Sequence, residues 1–135
     1  MNWFKTSQQA RDLPPDKWGF NNGDPVKFFD KKRNKISVGT FEKAYMSPSF
    51  PAFPSRPMGK IQYGGNITVT RVAPLEEVSL HNTSDIKVND LVDLMNYETE
   101  SPAKVLEILP DNKFAVLGMS MRRFTVPSCG IIKAQ

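Results

Sequence analysis

The stretch Asn22-Gly23-Asp24-Pro25-Val26-Lys27-Phe28-Phe29-Asp30 returns later in the chain as Val88-Asn89-Asp90-Leu91-Val92-Asp93-Leu94-Met95-Asn96. Asp24 matches Asp90, Val26 matches Val92 and Phe28 matches Leu94, at a spacing of 66. In both copies apolar residues alternate behind a turn signal, the pattern of a half-buried strand entered from a turn. A second stretch repeats as well: Ser37–Tyr45 aligns with Ser101–Leu109 at a spacing of 64, because the first hairpin loop is two residues longer. The small residues Gly39 and Ala103 fall where a long strand of a small β-domain must bend. Both halves close alike, Pro74–Leu80 matching Pro127–Lys133 at a spacing of 53. A proline, turn residues and a short apolar run predict a 3₁₀ turn and a final strand. Around Arg71 and Phe124 the apolar phase differs by one residue, which predicts a bulge in one copy.

The duplication sets the boundaries: an arm at 1–21, one unit at 22–82 and a second at 86–135. With 135 residues and 39% hydrophobic content there is enough core for two very small units. Each is marginal alone, because small domains bury a smaller share of their surface. Eleven prolines and eight glycines between short apolar runs favour strands and turns over long helices. The alternative architecture is one continuous β-domain in which the halves share strands.

Two regions stand outside the repeat. In the arm, Trp3 to Arg11 has the length of two helical turns, stopped at Leu13-Pro14-Pro15. Trp18 and Phe20 are expected to cover an open end of the first unit. The insert at 46–58 has prolines at positions 48, 51, 54 and 57, a spacing that predicts an extended, polyproline-like excursion.

The segments Asp90-Leu91-Val92, Ala103-Lys104-Val105, Lys113-Phe114-Ala115-Val116 and Phe124-Thr125-Val126-Pro127 resemble the SH3-like barrel superfamily, which includes KOW and Tudor modules. The resemblance covers most of 86–135 and, more loosely, 22–82. It implies a mainly β protein of two tandem five-stranded SH3-like barrels with a short N-terminal helical arm. The glycine-rich signature of KOW modules and the aromatic cage of Tudor modules are missing, so the resemblance implies a fold and not a ligand.

Chemistry-bearing residues are few. The single histidine, His81, and single cysteine, Cys129, sit at a strand end and in a turn, with no nucleophile signature around either. Two such residues are too few for a zinc site. Glu76 with Glu77, and Asp90 with Asp93, read as solvent-facing pairs, and Gly64-Gly65 reads as a turn. The expectation is a non-enzymatic protein with no cofactor and no small-molecule substrate. One cysteine allows no internal disulfide. No apolar run nears the ~20 residues that span a bilayer. The expected setting is the cytoplasm, or a particle assembled there.

Charge points to binding. Residues 1–82 carry 12 Lys/Arg against 7 Asp/Glu, while residues 83–135 carry 6 against 7. The basic excess concentrates at Lys31, Lys32, Arg33 and Lys35, expected on one projecting hairpin loop. Such a loop contacts phosphates and releases counterions. Lys43, Lys60, Arg122 and Arg123 are expected to extend this surface, with Lys27 and Arg71 as further candidates. Phe29 and Tyr63 are candidate platforms for stacked bases, although burial in the core is the favoured expectation for both. The first expectation is therefore binding of DNA or RNA through the first unit. The alternative is a structural or adaptor protein of a larger assembly, such as a virion or a transcription-type complex. In that reading Trp3 and Phe4 of the arm and Phe50 and Phe53 of the insert make the contacts.

Overall fold

The computed structural model describes residues 11–13 (backbone only), 19–48 and 54–134. Within them the regular structure is almost entirely β-strand, joined by turns and irregular segments. The first half holds β1 (Arg11–Leu13), β2 (Pro25–Asp30), β3 (Lys35–Met46), β4 (Pro57–Tyr63), β5 (Thr70–Pro74) and β6 (Ser79–Leu80). The second holds β7 (Leu91–Leu94), β8 (Ala103–Leu109), β9 (Lys113–Leu117), β10 (Arg123–Pro127) and β11 (Ile131–Lys133). Single 3₁₀ turns occupy Leu75–Glu77, Glu98–Glu100 and Ser128–Gly130. Among the described residues no helix is long and apolar enough to cross a membrane.

The described strands form two separate antiparallel sheets, so among the described residues the halves do not share strands. Their orders are β5-β4-β3-β2-β6 and β10-β9-β8-β7-β11, the same path twice, with β1 attached to β3 as an extra strand. The duplication extends to single hydrogen bonds. Asp24 Oδ2 accepts from Asn21 N at 2.8 Å, and Asp90 Oδ2 accepts from Lys87 N at 2.9 Å. Phe41 N donates to Asp24 O at 2.8 Å, and Val105 N to Asp90 O at 2.9 Å. Just before each aspartate the backbone turns left-handed, at Gly23 (φ +96°) and Asn89 (φ +78°), residue types that tolerate that region. Each long strand is bulged at the matching place, between Phe41 and Lys43 and between Val105 and Glu107. A bulge lets one strand serve two differently directed neighbours.

Three expectations change. The bulge predicted near Arg71 or Phe124 is absent, since both strands pair with an unbroken register. Arg71 and Phe124 hold matching half-buried positions. The apparent phase slip arises because a charged residue occupies an inward-leaning site where Asp30 receives it. The described ends of the insert are paired antiparallel and not extended away from the sheet: Met46 pairs with Pro57, and Ser47 N donates to Arg56 O at 3.0 Å, while residues 49–53 of the expected excursion lie outside the described residues. Most of the helix expected at 3–11 lies outside the described residues; its last residue, Arg11, is in a strand opposite Met46.

Each sheet wraps its own core. Phe28, Phe41, Ile61 and Val26 centre the first, and Leu94, Val92, Val105 and Ile131 the second. Phe20 is buried against Phe41 with ring centroids 5.2 Å apart, as expected of a residue covering an end of the unit. Met95, from the second half, belongs to the first core, and Ile132 packs on it too. The seam is tight at Gly64-Gly65. A Cβ on Gly64 would meet Met95 Cβ at 2.8 Å, and one on Gly65 would meet Cys129 Sγ at 2.6 Å. Asn96 Nδ2 donates to Gly64 O at 3.0 Å, and His81 Nε2 lies 2.9 Å from Ile131 O.

Candidate functional site

The β2–β3 turn is anchored from beneath. Asp30, 2% exposed, accepts Lys32 N at 3.0 Å through Oδ1 and pairs with Arg71 Nε at 3.1 Å through Oδ2. Asn34 takes the left-handed conformation (φ +56°) that closes the turn. A buried carboxylate is tolerable only when paired and hydrogen-bonded, and both conditions hold here.

Arg33 does not project with its neighbours, a correction to the four-cation loop. Its side chain is 9% exposed and runs back under the turn. Nη1 donates to Ser37 Oγ at 2.8 Å and lies 3.3 Å from Met95 Sδ. Nε sits 3.0 Å from Glu98 Oε1, at ion-pair distance but not aligned as a hydrogen bond. The guanidinium lies 5.7 Å from the centroid of Tyr63, and that of Arg71 lies 4.7 Å from the same ring.

Tyr63 is a core residue, the favoured expectation, and not a platform for a stacked base, because it is 4% exposed. Its hydroxyl donates to Glu98 Oε1 at 2.6 Å. Burial first, then that bond, hold the phenol well above its ordinary pKa. Arg33, Tyr63, Arg71, Asp30 and Glu98 thus form one polar network linking the turn, the first sheet and the second half.

Lys31, Lys32 and Lys35 do project. All three are exposed, and none makes an ion pair among the described residues. Lys35 borders a groove of about 290 Å³ between the halves, shared with Ile36, Asp93, Ile132 and Lys133. Next to it lies a smaller groove that shares Ile36 and Ile132 and adds Lys27, Phe28, Glu77 and Ser79. Phe29 and Ile36 are cross-strand partners, each 38% exposed. Lys133, half exposed and 3.7 Å from Asp90, is a cation of this groove that sequence reasoning missed. The spacing of 53 pairs it with Leu80, so the repeat alone gives no sign of a cation there.

The remaining candidate cations fall elsewhere. Lys43 and Lys60 are cross-strand partners beyond the β3 bulge. Lys60 Nζ pairs with Glu42 Oε2 at 3.0 Å, and that lysine is the main cause of a lowered Glu42 pKa. Lys43 is also engaged. Arg122 and Arg123 are at the β9–β10 connection, Arg122 5.8 Å from the Phe124 centroid and Arg123 3.5 Å from Glu107. The structure therefore groups Lys31, Lys32 and Lys35 and does not merge Lys43, Lys60, Arg122 or Arg123 with them. Trp3, Phe4, Phe50 and Phe53 lie outside the described residues.

No protein-family model matches this chain, and comparison with curated proteins finds no match either.

Proposed function

We propose that this chain is a non-enzymatic nucleic-acid-binding protein of two SH3-like barrels, contacting phosphates through Lys31, Lys32 and Lys35. Lys27 and Lys133 extend the contact along the groove. The barrel reading is supported by the twice-repeated strand order and by the 3₁₀ turn before each closing strand. One observation carries the binding reading. Three lysines free of ion pairs among the described residues sit on one short turn and the first residue of the strand after it, and Asp30–Arg71 and Arg33–Glu98 fix that turn from below. A preorganised cationic turn meets phosphates without first giving up internal partners or much chain entropy. The groove also holds Asp93 and Glu77, which confine an anionic strand to its lysine-bearing rim. A cytoplasmic setting fits the lone, half-buried Cys129.

The test is fluorescence anisotropy with labelled single-stranded and duplex oligonucleotides over a range of salt. Binding is expected to weaken steeply with salt. The Lys31→Ala/Lys32→Ala/Lys35→Ala variant should weaken it further and lower the log–log salt slope by roughly 2–3. Absence of binding to either nucleic acid at low salt, or a triple variant that binds as the wild type does, overturns the reading.

A further inference from the structure

The two halves differ at one edge, and the duplication makes the difference informative. Beyond its bulge, β3 has neighbours on both sides. Ala44, Tyr45 and Met46 face Gly59, Met58 and Pro57 of β4, and on the other side Leu13, Asp12 and Arg11 of β1. The matching segment of β8, at a spacing of 64, is Ile108, Leu109 and Pro110. Ile108 and Leu109 pair with Phe114 and Lys113 of β9, but among the described residues no strand pairs with their other edge. Beside this hairpin lies a cleft of about 350 Å³, shared by Ile108 and Leu109 of β8, Lys113 and Phe114 of β9, and residues 82–84 and 86. Its apolar wall is Ile86, Ile108, Leu109 and Phe114; Ile108 is 53% exposed, and Lys113 is the one charged lining residue among those described.

Unpaired strand edges are templates for strand addition. We propose that the β8 edge at Glu107–Leu109 docks an extended segment of a partner protein, which adds antiparallel as β1 adds to β3. The first half indicates the chemistry of the occupant. In β1, Leu13 stands opposite Ala44 and Asp12 opposite Tyr45. Transferred to β8, an apolar residue stands opposite Ile108, next to the cleft, and an acidic residue opposite Leu109. Leu109 is itself opposite Lys113, so the acid and the cleft's lysine share one cross-strand row. Pro110 ends the edge, since it offers no amide donor. The added strand is therefore short, and its affinity is modest without tethering. This site is separate from the lysine-bearing turn and does not depend on the nucleic-acid reading.

The test supplies the tether. The full chain is extended at its C-terminus by a Gly/Ser linker of about 12 residues, spanning about 20 Å, followed by a second copy of the sequence Gln8–Pro15. Ala134 N bonds to Leu91 O, opposite Lys104, so Ile108 lies within about 15 Å along β8. Amide hydrogen exchange is then followed residue by residue. Protection at Glu107–Leu109 is expected to rise at least about tenfold. The gain should vanish with Asp12→Lys or Leu13→Asp in the appended copy, and with Leu109→Pro in β8. Unchanged exchange overturns the proposal, as does protection that both appended-copy variants retain. Protection that appears without the appended copy and grows with protein concentration assigns the edge to a second copy of the chain, and likewise overturns it.

Discussion

The Tyr63 hydroxyl donates to Glu98 Oε1 at 2.6 Å, and the same oxygen lies 3.0 Å from Arg33 Nε. One carboxylate oxygen of the second half thus holds two groups of the first: a strand-end tyrosine and the arginine beneath the basic turn. The lysines of that turn keep their positions because the fourth cation gave up solvent.

Tyr63→Phe should lower stability by about 1 kcal/mol, a hydrogen bond lost to a charged but half-exposed acceptor. Arg33→Ala should cost about 2–3 kcal/mol, since it also removes the Ser37 bond and the contact with the Tyr63 ring. Urea denaturation measures both. The Tyr63→Phe/Glu98→Gln double variant should fall short of additivity by about 1 kcal/mol; strict additivity would show that these two side chains act independently.

Arg71→Ala should be among the costliest single changes, about 3 kcal/mol, because it leaves the Asp30 carboxylate buried without its partner. Asp30→Asn combined with Arg71→Ala should recover part of the loss. Thermal unfolding of the single and double variants decides this, and equal losses in the two refute it.

Gly39→Ala should destabilise by about 1–3 kcal/mol, the range for forcing extra volume into packed structure. Its Cβ would fall 2.3 Å from the Gln62 carbonyl oxygen and 2.8 Å from Ile61 Cγ2. The second half carries alanine at the matching position, Ala103, fully buried. Ala103→Gly should cost less, about 1 kcal/mol, through added freedom of the unfolded chain. Equal costs at the two sites would show that the strand crossing is no tighter in the first half.

His81 should make stability fall on mild acidification. Burial is the main cause of its lowered pKa, opposed by the Ile131 carbonyl. The unfolded chain, with an ordinary imidazole near about 6.5, binds the proton first as pH falls. The stabilising contribution is therefore complete above that value and is lost as pH falls toward the lower native one. His81→Gln can still donate to Ile131 O but does not titrate. Between about pH 7.5 and 5.5, the urea midpoint should fall less in this variant than in the wild type.

What the sequence made legible was local. Asp24 and Asp90 announce their turns because an aspartate that accepts a backbone amide three residues earlier requires a short, fixed spacing. The closing 3₁₀ turns after Pro74 and Pro127 follow from similarly local geometry. Arg33 was misread because a run of basic residues looks the same whether a side chain points out or folds under. Its partners Met95 and Glu98 are brought near only by packing of the halves. Tyr63 was ambiguous for the same reason: alternation places a residue on a face, but whether a second sheet covers that face is tertiary information. Arg71 distorted the apolar phase because its burial depends on Asp30, a residue on another strand. Lys133 joined the basic groove through strand pairing and not through sequence proximity.

Met95 belongs to the second half by chain position and to the first core by packing. Cutting the chain between residues 82 and 86 would strip Met95 and Ile132 from one fragment and lay the Gly64-Gly65 seam open on its surface. The duplicated units are therefore not interchangeable beads. The chain should melt in a single transition, and a graft that carries the lysine-bearing turn to another scaffold must bring both halves with it.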